Sequence, residues 1–230
     1  MSTSYEYPNP DILVETAWLA DNYSNPTVRI IDGRSKEKYI EGHISGAINL
    51  DSSVIPSDLE STNDSEFAEL LSSQGIGNQH IIVCYDDMGP PAARLWWILS
   101  YYGAVNVRML NGGITKWLSE GRDVTIVKPD LAKTAFIPSI VAGLHCSLDH
   151  AKYELDNVNA VFWDTRSEEE FKGELPRGNS PDRLGHIPGA VHLEWNTMIE
   201  TGTQVIKSAN EIRTILESHG ITPDKEIVPY

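Results

Sequence analysis

The sequence Asp-Gly-Arg-Ser at residues 32–35 is followed by Gly-His-Ile-Ser-Gly-Ala at residues 42–47, and both segments return later in the chain. The second copies are Asp-Thr-Arg-Ser at residues 164–167 and Gly-His-Ile-Pro-Gly-Ala at residues 185–190. The two segments return in the same order, which indicates that the chain contains one structural unit twice.

Strand and helix signals alternate around the first copy. Short apolar runs at residues 28–31, 47–50 and 80–85 predict buried strands, and the patterns at residues 65–73 and 90–101 predict helices, the first with Ser65 as its cap. This alternation predicts the α/β class, in which each unit is a mostly parallel sheet flanked by helices.

The second copy repeats this order but is shorter. Strands are predicted at residues 161–163, 190–193 and 226–228, with a helical face that includes Ile212, Ile215 and Leu216. The strand that leads into Asp86 in the first copy leads to Tyr230 in the second. We therefore expect the second unit to be incomplete.

A stretch with mixed charge and little periodicity separates the copies at residues 124–143, and it contains Pro129 and Pro138. This composition predicts a linker. The predicted domains are residues 1–123 and residues 144–230.

Composition limits the classes of function. The chain has 230 residues, 33 acidic against 18 basic side chains and a net charge of −15, which disfavours a nucleic-acid-binding surface. No apolar run approaches the roughly 18 residues needed to span a bilayer, so no membrane partner is predicted. The N-terminus has no secretory signal pattern, which predicts a cytoplasmic protein.

Two cysteines, Cys84 and Cys146, are too few for a zinc site or a disulfide framework, so neither a metal nor a cofactor is predicted. Cys84 lies in an apolar strand and is predicted to be an inert core thiol. Cys146 follows His145, but adjacent side chains in an extended segment point apart, which favours a structural role.

The repeated motifs resemble those of the rhodanese family of sulfurtransferases. The family has an Asp-x-Arg at a strand end followed by Gly-His-Ile-x-Gly-Ala, and Leu-Asn-Gly-Gly-Ile-Thr-Lys-Trp at residues 110–117 is similar to its closing Leu-x-Gly-Gly-x-x-x-Trp segment. Two copies imply the tandem type, here with an inactive first domain and a second domain of the catalytic type.

The resemblance implies cysteine chemistry. In rhodanese relatives the loop after the last strand begins with a cysteine, whose thiolate is stabilised by backbone N–H groups and by the following helix. This thiolate takes a sulfur atom from thiosulfate or 3-mercaptopyruvate as a persulfide and passes it on. The implied partners are a small anionic sulfur donor and a thiol or cyanide acceptor.

This chain departs from the family at the nucleophile. The first copy has Asp86 at the cysteine's position, where we expect it to cap the helix that starts at Pro90. In the second copy the cysteine is expected immediately after Tyr230, so the chain is interpreted as truncated before its active-site loop. No catalytic residue is assigned, and the 230-residue chain is expected to be inactive and poorly stable.

The remaining motif residues are expected to form the scaffold. Arginines of the Asp-x-Arg motif can clamp an anion, but in the family they usually pair with a helix carboxylate, and Glu170 is suitably placed for this. The motif histidines are expected to fix turns. The predicted scaffold residues are Asp32, Arg34, His43, Asp86, Asp164, Arg166, Glu170 and His186.

Arg177 and Arg183 are the candidate substrate-binding residues. They lie in a segment, residues 173–183, that the first copy lacks, and a guanidinium can bind a sulfonate or carboxylate in a bidentate manner. Alternatively, each of the two is an exposed loop arginine that does not bind substrate. Some thiosulfate-preferring relatives have a basic residue where this chain has Pro188, so the donor stays open.

Two other functions stay open. A rhodanese-like phosphatase uses the same cysteine in a longer loop around a phosphate, and a non-catalytic binding module has another residue in its place. The residues that follow Tyr230 in the gene discriminate among the three.

Overall fold

The structure, a computed structural model, describes residues 7–51, 63–87, 89–176 and 184–230. The chain divides into two compact units. The N-terminal unit consists of Pro8–His145 with Thr201–Ile206, and the C-terminal unit consists of Cys146–Glu200 and Lys207–Tyr230 together with Tyr7. No helix in the described ranges is long and apolar enough to cross a lipid bilayer.

The N-terminal unit is built on a five-stranded sheet in the order β1-β5-β4-β2-β3, and all neighbouring strands are parallel. The strands are β1 (Leu13–Val14), β2 (Val28–Asp32), β3 (Ala47–Asn49), β4 (Ile81–Tyr85) and β5 (Val107–Leu110). Asp32 lies opposite Tyr85 in the β2–β4 register, so the carboxyl ends of the two central strands meet.

Five α-helices lie in the described residues of the same unit. They are α1 (Thr16–Asn22), α2 (Lys36–Glu41), α3 (Asp64–Ser73), α4 (Pro90–Tyr101) and α5 (Gly113–Ser119). The bounds of α4 are those predicted from the sequence. The predicted cap of α3, Ser65, is wrong: its N–H donates to the side-chain oxygen of Asn63, which caps the helix two residues earlier.

Both faces of the central strands are buried. Ile31 and Cys84 pack on one face and Ile30 and Val83 on the other, as the two-residue period of a strand requires. Burial of both faces is typical of parallel sheets covered by helices and explains why these strands appear as continuous apolar runs in the sequence.

The predicted linker, residues 124–143, packs on the N-terminal unit. Thr125 forms a β-bridge with His43, and the N–H of Ser139 donates to the carbonyl of Tyr102. Phe136 is 4% exposed and belongs to the core. This segment therefore contributes to the burial of the first repeat.

The C-terminal unit has a three-stranded parallel sheet in the order β7-β6-β8, the counterpart of β3-β2-β4. Its elements are α6 (Leu148–Glu154), β6 (Ala160–Asp164), α7 (Glu168–Lys172), β7 (Val191–His192), α8 (Ala209–Ser218) and β8 (Glu226–Pro229). Its buried apolar cluster consists of Val161, Leu193 and Ile221, with partly buried side chains around them.

Candidate active site

The aspartate at the end of β2 is the centre of a buried polar network. Asp32 is fully buried and accepts hydrogen bonds from the guanidinium of Arg34, at 3.0 Å from Nε and 2.6 Å from Nη2, and from the Tyr85 hydroxyl at 2.6 Å. A buried carboxylate is stable only when it is paired and hydrogen-bonded in this way. Asp32 and Arg34 thus stabilise each other at the strand ends.

The same network holds the Gly-His-Ile turn. Arg34 Nη2 donates to the carbonyl of Gly42 at 2.7 Å, and the N–H of Ile44 donates to the Tyr85 hydroxyl at 3.1 Å. Tyr85 is the last residue of β4, so its side chain connects this turn to the start of the loop that begins at Asp86.

The second repeat has the same network. Arg166 pairs with Asp164 at 2.5 Å and donates to the carbonyl of Gly185 at 2.9 Å. The N–H of Ile187 donates to the Tyr230 hydroxyl at 3.1 Å. Burial alone would raise the pKa of Asp164, but hydrogen bonds from Arg166 and Tyr230 outweigh it and lower that pKa.

The tyrosines were not among the predicted site residues. The available signal was positional, because Tyr85 is the last residue of β4 and Tyr230 directly follows β8, the corresponding strand of the second copy. Burial raises the pKa of Tyr85 well above its ordinary value, and the neighbouring Asp32 raises it further. Tyr85 is therefore a neutral hydrogen-bonding group at all physiological pH values.

The motif histidines stack on aromatic rings. The His43 ring lies 3.8 Å from the Tyr39 ring, and its Nδ1 is 2.8 Å from the Tyr39 carbonyl. His186 stacks on Phe171 at 3.7 Å, with Nδ1 2.8 Å from the Phe171 carbonyl. In both copies the histidine joins the end of a helix to the turn.

Glu170 has a different contact from the one predicted. Its carboxylate accepts the N–H of Ser167 at 3.2 Å in a reciprocal capping box at the start of α7. The carboxylate that pairs with Arg166 is Asp164, two residues before it in the sequence. The expected pair of Arg166 with Glu170 is thus corrected, because the shorter Asp-x-Arg connection already satisfies the guanidinium.

Asp86 lies in a cradle of backbone amides. Its Oδ1 accepts the N–H of Gly89 at 2.5 Å, and its Oδ2 accepts the N–H of Ala92 at 2.6 Å, in the first turn of α4. The side chain is 3% exposed. A helix N-terminus with free N–H groups stabilises negative charge, so this position is suited to an anionic atom.

The Gly-Gly pair of the closing motif supports this loop from the other side. The N–H of Ile114 donates to the Asp86 carbonyl at 2.9 Å. Gly113 has φ +53°, and a Cβ atom there would lie 2.3 Å from the same carbonyl oxygen. Only glycine permits this approach, which explains the motif at the start of α5.

The second repeat reproduces the approach to the loop. The N–H of Gly33 donates to the Tyr85 carbonyl at 2.8 Å, and the N–H of Thr165 donates to the Tyr230 carbonyl at 3.0 Å. Tyr230 is therefore the structural counterpart of Tyr85, the residue that precedes Asp86.

Neither cysteine lies in an amide cradle. Cys84 is fully buried in the core, as predicted, and burial strongly raises the pKa of its thiol. Cys146 is partly buried, and burial and then the carboxylates of Glu226 and Glu154 raise its pKa. A raised pKa disfavours the thiolate that acts as a nucleophile.

The predicted substrate-binding residues, Arg177 and Arg183, lie outside the described residues. The side chains of Arg34 and Arg166 are directed to Asp32 and Asp164. Within the described ranges, the His, Cys, Asp and Glu side chains close enough to share a metal ion are His150, Glu154 and Glu226. Glu226 is the first residue of β8, whereas the polar network lies at the opposite end of this sheet.

The chain is similar in sequence to a known protein family and to several of its members. The Rhodanese-like domain family matches residues 15–120 and 147–230. The sulfur carrier protein TtuD of Thermus thermophilus is 35% identical, over 97% of this chain and 83% of that protein. The thiosulfate sulfurtransferase of Azotobacter vinelandii is 31% identical, over 98% of this chain and 84% of that protein.

Solved structures share the fold. SseA from Escherichia coli, described as a 3-mercaptopyruvate sulfotransferase, aligns with a TM-score of 0.84 at 24% identity, over 95% of this chain and 87% of that one. An anaerobic ergothioneine biosynthesis enzyme from Chlorobium limicola aligns with a TM-score of 0.83 at 25% identity, over 97% of this chain and 61% of that one.

Proposed function

Because the chain belongs to the rhodanese-like domain family, we propose that it is part of a sulfurtransferase that moves sulfane sulfur from thiosulfate or 3-mercaptopyruvate to cyanide or a thiol. The curated relatives named sulfur carrier protein and thiosulfate sulfurtransferase support this activity. The nucleophile is a cysteine at the position after Tyr230, which carries the sulfur as a persulfide.

The observation that carries the proposal is the amide cradle around Asp86. Two backbone N–H groups at the start of α4 converge on its carboxylate, at 2.5 and 2.6 Å. A thiolate at the equivalent position of the second repeat would receive the same stabilisation, which lowers the pKa of a cysteine and makes it nucleophilic at neutral pH.

The chemistry needs no further co-reactant. The thiolate attacks the outer sulfur of thiosulfate, the sulfur–sulfur bond of the donor breaks, and sulfite leaves with the bonding electron pair. Cyanide then attacks the outer sulfur of the persulfide, which yields thiocyanate and regenerates the thiolate. The same cycle operates with a thiol acceptor, and the two half-reactions predict ping-pong kinetics.

The two repeats have different roles in this proposal. A carboxylate at position 86 cannot carry sulfane sulfur, so the domain at residues 1–123 is inactive and the domain at residues 144–230 is of the catalytic type. Arg183 and Arg177 bind the anionic donor. The proposed compartment is the cytoplasm, whose reducing conditions suit the free thiols of Cys84 and Cys146.

The decisive test is to express the open reading frame through codon 230 and beyond, and to assay thiocyanate formation with thiosulfate and with 3-mercaptopyruvate. We expect a cysteine at the next codon and activity that disappears when it is changed to serine. The variants Cys84→Ser and Cys146→Ser retain at least about half of the activity, because neither thiol is in a cradle.

Several results would contradict the proposal. A different residue at that codon indicates a binding module, and phosphatase activity without sulfur transfer indicates the phosphatase alternative. Persulfide mapped by mass spectrometry to Cys84 or Cys146 would place the chemistry elsewhere. Arg183→Ala tests the donor site: we expect KM for the donor to rise about tenfold, whereas Arg213→Ala on α8 changes it little.

The cradle can also be tested in the first repeat by Asp86→Cys. We expect the pKa of the introduced thiol to fall at least about one unit below the ordinary 8.5, so that iodoacetamide at pH 6 modifies it about tenfold faster than in urea. Ser73→Cys, exposed at the carboxyl end of α3, serves as the control. Equal rates at the two positions would remove the physical basis of the proposed nucleophile.

A further inference from the structure

Three metal-ligating side chains meet at the amino end of the C-terminal sheet. His150 and Glu154 are four residues apart on α6 and therefore share one helix face. Glu226 is the first residue of β8. One donor atom from each of the three side chains lies within 4.8 Å of the other two. None of these residues belongs to the polar network at the opposite end of the sheet.

The carboxylate of Glu154 is buried and forms no ion pair within 4.0 Å with any described residue, although the imidazole of His150 lies within 4.8 Å of it. Glu154 is 4% exposed, and its Oε2 accepts a hydrogen bond from the side-chain amide of Asn157 at 2.5 Å. In the part of the chain that the structure describes, no Lys, Arg or His nitrogen lies within 4.0 Å of this carboxylate. A buried carboxylate whose hydrogen bond comes from a neutral amide is costly to keep out of water, and a bound cation would offset that cost.

The other two side chains are free to move into a coordination shell. His150 Nε2 lies 2.6 Å from Glu226 Oε1, and both side chains are 46% exposed. Zinc ligands about 2.1 Å from the metal in a tetrahedron are about 3.4 Å from each other. The hydrogen-bonded pair would therefore separate by less than about 1 Å, which small side-chain rotations supply.

We propose that His150, Glu154 and Glu226 bind one divalent transition-metal cation, with Zn²⁺ as the best match. One imidazole nitrogen and two carboxylate oxygens are ligands that Zn²⁺ accepts, and three protein ligands leave one position for water. The net charge of −15 favours the approach of cations. A metal here joins α6 to β8 and so stabilises the C-terminal unit.

No metal site is predicted from cysteine and histidine spacings in the sequence. The third ligand, Glu226, is separated from His150 by 76 residues and is placed beside it by the pairing of β8 with β6. This site is independent of the proposed sulfur transfer, so its test does not depend on that activity.

The test is a titration of the purified chain with Zn²⁺ by isothermal titration calorimetry, in a Cys146→Ser background that removes a competing thiol. We expect saturable binding of one Zn²⁺. His150→Ala and Glu226→Gln, which change exposed side chains, each weaken it about tenfold or more. The matched controls His219→Ala and Glu169→Gln change an exposed histidine and an exposed glutamate elsewhere in the unit and keep the parent affinity.

Thermal unfolding provides a second measurement. Excess Zn²⁺ raises the Tm of the parent chain, because a ligand that binds only the folded state stabilises it, and leaves the Tm of His150→Ala unchanged. Absence of saturable binding to the parent overturns the proposal. So does parent-like affinity in both His150→Ala and Glu226→Gln, or a Tm that depends on the His150–Glu226 pair but not on Zn²⁺.

Discussion

The two repeats contain the same hydrogen-bonded network in very different surroundings. Arg34 and Arg166 both bridge an aspartate and the glycine carbonyl of the Gly-His-Ile turn. In the first repeat, however, His43 is fully buried, whereas its counterpart His186 is exposed. The network is therefore specified by residues within the repeat, and the aspartate at its centre is fully buried in both copies.

Burial in the first repeat comes from elements outside the shared motifs. The N–H of His43 donates to the carbonyl of Thr125, and the N–H of Thr125 donates to the carbonyl of His43. These two hydrogen bonds hold the segment that follows α5 over the turn. Trp117 of α5 packs in the same cluster as Tyr85. The described residues of the second repeat have no counterpart of α5. The motif therefore fixes the geometry of the hydrogen-bonded network, and the elements that follow it in the chain, α5 and the segment after α5, provide the apolar environment.

The largest effect is expected from Gly113→Ala, because it acts on a contact of the first repeat that has no counterpart among the described residues of the second. The new Cβ would lie 2.3 Å from the Asp86 carbonyl oxygen, so the loop or α5 must move. We expect a loss of about 3 kcal/mol in the free energy of unfolding of the N-terminal unit. Urea unfolding followed by pulsed hydrogen exchange and mass spectrometry measures each unit separately.

Gly121→Ala is the matched control for this change. Gly121 also has a positive φ, +71°, but no atom lies within 4 Å of the position of a Cβ. This variant should lose only about 1 kcal/mol of unfolding free energy, which is the cost of placing a residue with a Cβ in the left-handed conformation. Equal losses in the two variants would mean that the close approach to Asp86 contributes nothing.

A smaller effect is expected from removing the tyrosine hydroxyls. Tyr85→Phe leaves the fully buried Asp32 without one donor and Ile44 N–H without its acceptor, which we expect to cost about 2 kcal/mol. Tyr230 is only partly buried, so water can replace its hydroxyl, and Tyr230→Phe should cost about 0.5 kcal/mol.

The same pulsed exchange in urea measures both tyrosine variants. Tyr153→Phe, which changes a side chain that is 79% exposed, is the control and should have no effect. If Tyr230→Phe cost as much as Tyr85→Phe, the surroundings would not determine the strength of the network, and the comparison of the repeats would fail.

The sequence predicted the parts of the fold that depend on local patterns. The strands around Ile30 and Val83 and the helix that begins at Pro90 were recognised because apolar runs and a proline in the first turn are local signals. The short strand β1 (Leu13–Val14) and the helices α1 (Thr16–Asn22) and α6 (Leu148–Glu154) were not predicted. A strand of two residues is too short to show a periodic apolar pattern, and a helix of seven residues is barely long enough to show one.

The candidate site was predictable only as far as the motif reaches. Asp32 and Arg34 are two residues apart, so their role in the scaffold could be inferred from the resemblance. The contact of Asp86 with Ala92 agrees with the expected cap of the helix that begins at Pro90. The contact of Ile114 with Asp86 could not be inferred, because it depends on where α5 begins relative to the sheet. The predicted partner of Arg166, Glu170, was the wrong carboxylate. Asp164 lies two residues before Arg166 and Glu170 four residues after it, so their positions in the sequence do not distinguish them.

The smallest expected effect is the pH dependence of the stability that the Asp164 carboxylate provides. Hydrogen bonds from Arg166 and Tyr230 outweigh burial and hold the pKa of Asp164 below its ordinary value of about 3.9. A lowered folded-state pKa gives stability that is fully present above about pH 4 and is lost as the pH falls through the folded-state value. Asp164→Asn should therefore be less stable than the parent at pH 6, and the difference should shrink below pH 4. Urea unfolding of the C-terminal unit at pH 6, 4 and 3 measures this, and a difference that stayed constant over that range would mean that Asp164 does not act through its charge.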